Sequence, residues 1–195
     1  MGEVETQSGM RDKILDAAYD IFAEQGYGKA SLNQIAKKLG VTRPALYYHF
    51  KSKDDLFAAT YNRIDLLADV DTTDALSCAS ADDFPGQLEA LVRRIIGNLH
   101  KDEQRSRFVA AVESASHQSA AVRESVQQQN TALHKAFSEV VAHGVALGVF
   151  RDDTNVTEIA EYLCVIIRGT SEELLIGSAV DTEAIVRRTV ASIFA

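Results

Sequence analysis

Residues 30–57 read ASLNQIAKKLGVTRPALYYHFKSKDDLF. Ser31 and Gln34 have capping-box spacing, so a helix begins at Ser31. Leu32, Ile35, Ala36 and Leu39 share one face of it, and Gly40 terminates it after about two turns. Thr42 can N-cap the next helix. Arg43 and Pro44 then fall in its first turn, where proline costs no hydrogen bond. Val41 and Leu46 have the spacing of a hydrophobic staple. Leu46 and Phe50, four apart, face inward, which leaves Tyr47, Tyr48 and His49 on or near the outer side. Ser52 and Asp55 make a second capping box. It opens a longer helix from Ser52 to about Val70, with Phe57, Thr60, Tyr61, Ile64 and Leu67 in register.

Two short helices joined by Gly40-Val41-Thr42 read as a helix-turn-helix. In that motif the second helix enters the major groove of DNA and its N-terminal residues meet base edges. Here those residues are Thr42, Arg43, Pro44 and Ala45.

Charge supports the motif. The chain of 195 residues has a formal net charge of −8, yet no acidic residue lies between Glu24 and Asp54. That interval holds Lys29, Lys37, Lys38, Arg43, Lys51 and Lys53, a net +6. Residues 54–195 carry a net −10. A basic module of this kind attracts a polyanion whatever the sign of the whole. Lys37 and Lys38 read as solvated members of the basic face.

Outward from this stretch the pattern stays helical. Ile14, Leu15, Ala18, Ile21 and Phe22 predict a first helix over residues 9–25, ended by Gly26 and Gly28. Residues 69–83, DVDTTDALSCASADD, are polar, acidic and small, and read as a loop. Leu88, Leu91, Val92, Ile95, Ile96 and Leu99 predict an amphipathic helix, and Phe108, Val109 and Val112 a short one. A long helix covers about 119–147, and a break follows at residues 148–153. Val156 to Ile167 open another helix, and Val186, Val190 and Ile193 lie on a last one capped near Asp181. The expected class is all-α, a nine-helix chain in two parts. Residues 1–51 would form a helix-turn-helix domain and residues 52–195 a larger helical body.

No run of about 18 apolar residues marks a membrane span, and the polar N-terminus has no signal-type stretch, so a cytoplasmic protein is expected. Cys78 and Cys164 form no metal-ligand spacing and read as a loop thiol and a core residue. Asn155-Val156-Thr157 matches a glycosylation sequon, but without a secretion signal it is a chance match. His100, His117, His134 and His143 are scattered. No nucleophile triad, carboxylate pair or metal cluster stands at helical spacing, so neither enzymatic activity nor a cofactor is expected.

Residues 14–57 resemble the TetR-type bacterial transcriptional repressors. The resemblance is carried by ILDAAYDIFAEQGY and by the run quoted at the outset. Its most specific part is Gly40-Val41, then Leu46 to Lys53, then Leu56. GVFRDDTNVTEIAEYL, residues 148–163, is similar to the turn before the penultimate helix of that family; the rest matches in length and helical pattern only. The resemblance implies a homodimer joined through the two C-terminal helices of each chain. It also implies DNA-binding heads linked by the fourth helix to bodies that hold a small-molecule effector. Binding of the effector would release the repressor from a palindromic operator. An activator, or an effector-independent regulator of the same fold, is the alternative.

The roles follow residue by residue. Arg43 can bond guanine O6 and N7 together, or hold a phosphate. Pro44 or Ala45 can touch a thymine methyl. Tyr47, His49 and Lys53 match family positions that hold the DNA backbone, to which all three can donate. Tyr48 suits a base or a phosphate; for either tyrosine the alternative is packing on the first helix. Ser31 can cap its helix, donate to a phosphate, or both. Candidates for the effector site are Asn98, Asn130, His134 and Arg168, polar residues on or beside apolar faces, with Phe108 and Phe137. For the polar ones the alternative is a hydrogen-bonded core residue or a dimer contact. The richness of the body in apolar side chains favours an apolar or amphipathic effector.

Overall fold

The computed structural model describes residues 2–63, 70–99 and 103–194, with side chains for 9–63, 70–98 and 103–194. The described residues form ten helices and no strand: α1 Gly2–Lys29, α2 Leu32–Leu39, α3 Arg43–His49, α4 Lys53–Arg63, α5 Thr73–Ser77, α6 Phe84–Leu99, α7 Glu103–Gln118, α8 Ala120–Ala146, α9 Val156–Leu175 and α10 Thr182–Ile193. The all-α expectation holds. The count of nine does not, because α5 lies inside the stretch read as a loop. Its hydrophobic signal is a single buried alanine, Ala75, and the Asp71 carboxylate starts it by accepting from the Thr73 N–H at 3.0 Å. Ile64 and Leu67 on the fourth helix, and His100, lie outside the described residues.

Two further bounds differ. The first helix begins well before residue 9, and its helical geometry breaks at Gly26 (φ 72, ψ 167), with one more turn beyond to Lys29. A positive φ here is accessible to glycine at little cost. The helix around Phe108 has 16 residues, not a few. Ala111 and Ala115 supply much of its buried face. Alanine is a strong helix former but a weak hydrophobic signal, which is why the periodicity falls short.

The chain divides into two compact units, residues 1–65 with 102–127, and residues 66–101 with 128–195. In the first, Phe22 meets Phe57 edge-on at 4.6 Å, and Phe57 stacks on Phe108 at 5.2 Å. Ile14, Leu15, Ile35, Leu46 and Leu56 close the core around them, each at most 1% exposed. Each such side chain contributes about 1.5–3 kcal/mol by leaving water.

In the second unit Phe84, Leu88, Val92, Phe137, Val140, Val141 and Leu163 are fully buried. Asn155 and Asp181 begin α9 and α10 by accepting from the backbone N–H three residues on, at 3.3 Å and 2.9 Å. Phe150, in the turn before α9, stacks on Phe194 at 4.8 Å. Cys164 is buried and Cys78 half-buried, both as free thiols. Among the described residues no helix is long and apolar enough to cross a membrane.

Candidate nucleic-acid interface

The helix-turn-helix is built by local hydrogen bonds. Ser31 sits extended at the N-cap of α2 and completes the expected capping box. Its Oγ accepts from the Gln34 N–H at 3.3 Å, and its own N–H donates to Gln34 Oε1 at 2.8 Å. The Ser31 hydroxyl also donates to Gln34 Oε1, at 2.7 Å. Gly40 ends α2 in the left-handed region, φ 67. The Val41 N–H returns to the Ala36 carbonyl at 3.0 Å, and the Gly40 N–H to Lys37 at 3.2 Å. This is a Schellman motif, and it aims the chain into α3.

Thr42 occupies the N-cap position of α3, but its side chain makes no capping bond. The bond that starts the helix is the Ala45 N–H to the Thr42 carbonyl, 3.0 Å. Pro44 lies in the first turn, where no bond is lost. Leu46 is 1% exposed and Phe50 2%. These two anchors turn the opposite face outward. Thr42, Arg43, Pro44 and Ala45 are exposed, and so are Tyr47 and Tyr48; His49 is half-buried. Tyr48 at 72% exposure therefore does not pack as a core residue.

The Arg43 guanidinium lies over the Tyr47 ring, 5.3 Å from its centroid, and donates to the Tyr47 hydroxyl at 2.8 Å. The pair is four residues apart on one helix, a spacing visible in the sequence. It holds the arginine extended along α3 with donors left over.

Lys53 is placed differently from the other candidates. Its ammonium donates to the Tyr27 carbonyl at 2.9 Å and the Ala30 carbonyl at 3.4 Å. It also stands 4.2 Å from the Tyr27 ring centroid. Its ammonium is thus engaged by carbonyls at and just beyond the end of α1.

Tyr27 is 6% exposed, and its hydroxyl donates to Asp54 at 2.5 Å. Burial, then the Asp54 carboxylate, raise the tyrosine well above its ordinary value. The tyrosine hydroxyl in turn holds the Asp54 carboxyl below the usual carboxylate range. Sequence reasoning missed Tyr27, since nothing local links it to residues 53 and 54.

At the start of α4, the Asp55 N–H reaches the Ser52 hydroxyl at 3.0 Å, but the Asp55 carboxylate takes the Lys51 N–H, not that of Ser52. The second expected capping box is thus half made. The opposite end of α4 is tied back to α1 by Arg63, which pairs with Asp16 and donates to the Asp12 carbonyl at 2.9 Å.

The six effector-site candidates fall on four helices, α6, α7, α8 and α9. Phe108 belongs to the core of the first unit, stacked on Phe57. Phe137 is buried in the core of the second. Asn98, Asn130 and His134 are half-buried, on α6 and α8, and Arg168 on α9 is exposed.

The chain is similar to known proteins along both parts. Residues 14–60 match the family of bacterial regulatory proteins, tetR family. Residues 86–195 match the C-terminal region of BetI-type transcriptional repressors. Over 48 residues the chain is 54% identical to the HTH-type transcriptional regulator AcrR of Shigella flexneri, 25% of this chain and 22% of that protein. The HTH-type transcriptional regulator SrpR of Pseudomonas putida is 27% identical over 138 residues, 71% of this chain and 62% of that one. The match therefore spans less than two thirds of the length of these curated relatives. Among solved structures, NalD, the secondary repressor of the MexAB-OprM multidrug efflux pump in Pseudomonas aeruginosa, superposes with a TM-score of 0.71 at 26% identity. That superposition covers 97% of this chain and 96% of NalD.

Proposed function

This chain belongs to the TetR family of bacterial transcriptional regulators, and from that premise we propose that it is a dimeric repressor released from a palindromic operator by a small molecule. The observation that carries the reading is the exposed first turn of α3. Thr42, Arg43, Pro44 and Ala45 stand outward, because Leu46 and Phe50 are buried behind them. Arg43 reads a guanine through its guanidinium fork. Tyr47, His49, Lys53 and the Ser31 hydroxyl grip phosphates on either side, and Tyr48 reaches a base or a phosphate. Residues 1–51, with Lys53 just beyond them, carry this interface, and the rest of residues 52–195 carry effector binding and dimerisation.

A second copy of the chain is supported by α9, which exposes Tyr162 at 39%, Val165 at 66% and, at its end, Ile176 at 72%. A row of large apolar side chains is a surface that association covers. The effector is apolar or amphipathic, in keeping with the leucine, isoleucine, valine and phenylalanine core of the second unit. Asn98, Asn130, His134 and Arg168 are the polar candidates for orienting it. A ligand that prefers one spacing of the two heads lowers operator affinity by its differential binding energy, typically about 1–3 kcal/mol.

Selection of bound sequences from random DNA is the direct test. The expected product is a palindrome with half-sites about one helical turn apart. Arg43→Ala should bind operator and scrambled DNA alike. Retained preference for the operator would overturn the role given to Arg43, and failure to enrich any sequence would overturn the function.

A further inference from the structure

The described residues contain three cation–π pairs, and all three lie within residues 11–53. Arg43 stands over Tyr47 at 5.3 Å, Lys53 over Tyr27 at 4.2 Å and Arg11 over Phe50 at 5.1 Å. Such pairs occur about once per 70–80 residues, so three in this interval are a local concentration. Two of the three cations, Arg43 and Lys53, already belong to the proposed DNA interface. Arg11 has the same construction but stands outside the helix-turn-helix, on α1.

Its seat places it. Phe50 is the C-cap of α3, extended at φ −139 and ψ 128, with its N–H bonded to the Leu46 carbonyl at 2.9 Å. His49 and Lys51 flank Phe50 in the sequence, so the seat of Arg11 lies in the basic stretch at the C-terminal end of α3. The ring is 2% exposed while Arg11 is exposed. The carboxylates that follow Arg11 on α1, Asp12 and Asp16, both face Arg63.

We infer that Arg11 is a further phosphate-binding residue of the DNA interface, held ready by stacking on Phe50. A guanidinium lying on a ring keeps its edge N–H donors in solvent, where a phosphate oxygen can take two of them. Holding the long side chain in advance lowers the entropy lost when the phosphate arrives. The contact carries no sequence information. It extends the grip from α3 and the start of α4 to α1.

This inference rests on the DNA-binding reading above. The test measures binding of the full chain to its selected operator, and to scrambled DNA, from 50 to 200 mM salt. Each phosphate contact adds about 0.9 to the slope of log affinity against log salt. Arg11→Ala should make the slope shallower by about that amount on both DNAs. The wild-type advantage should then shrink about 3.5-fold across the range. Arg11→Lys should keep most of the slope. Lys53→Met serves as the internal reference for a lost phosphate contact. An Arg11→Ala protein that melts like wild type and keeps the wild-type slope, beside a shallower Lys53→Met, overturns the inference and leaves the DNA reading standing. Wild-type protein with no operator preference overturns both.

Discussion

A methyl group added at Gly144 would sit 2.7 Å from Phe150 Cε2 and 2.7 Å from Phe84 Cε1. Ordinary contact begins at 3.4 Å, so both rings must retreat by at least 0.7 Å. Neither has room. Phe84 is 0% exposed, and Phe150 is held against Phe194 at 4.8 Å. Two effects of Gly144→Ala therefore oppose each other. Alanine favours the helix by up to about 1 kcal/mol. Overpacking a full core costs about 1–3 kcal/mol. The clash wins, because rigid rings on both sides cannot rotate out of the way. The net expectation is a loss of about 1–2 kcal/mol. For a chain of this size that is a fall of about 2–8 °C in Tm.

Gly97→Ala is the control. Gly97 lies on α6, and its added methyl would meet nothing within 4 Å. It shares the helix gain without the clash, so its Tm should stay level or rise. Melting both variants at one protein concentration isolates the packing term, since association also shifts Tm. If Gly144→Ala melts at or above wild type while Gly97→Ala behaves as stated, the reasoning about the Phe84–Phe150 wedge is wrong.

Tyr27→Phe removes the hydroxyl that donates to Asp54, and should destabilise the chain by about 1–2 kcal/mol at neutral pH. The sign with pH follows from the depressed Asp54. The stabilisation is present above the ordinary carboxylate range and disappears as pH falls through the lower folded value. Urea titrations should therefore show wild type and Tyr27→Phe converging at acid pH; a constant gap from neutral to acid pH would count against it. Val165→Glu puts a charge on the exposed apolar row of α9, and sedimentation should report a monomer with the fold intact. A dimer of unchanged strength would remove α9 from the proposed interface.

What could be read along the chain is what rests on short-range chemistry. The capping box of Ser31 and Gln34, the left-handed Gly40, Pro44 in a first turn, and Asp181 at the head of α10 all involve residues a few positions apart. Backbone groups at helix ends must find partners nearby, and only certain side chains supply them. The concentration of positive charge between Glu24 and Asp54 is a matter of counting. These determined the helix-turn-helix and which face of α3 meets solvent.

Tertiary structure alone decided the rest. α5 folds around one buried alanine, and α7 extends on alanines that carry little hydrophobic signal. Lys53 reaches the carbonyl of Tyr27, 26 residues earlier, and Arg11 lies over Phe50. Gly144 is needed because two rings, brought in by Phe84 and Phe150, fill the space its side chain would take. Close packing and cation–ring contacts depend on distance in space, which periodicity along one helix does not encode. The same limit applies to the effector. Phe108 stacks on Phe57 and Phe137 packs in the other core, and neither placement could be read from its own helix.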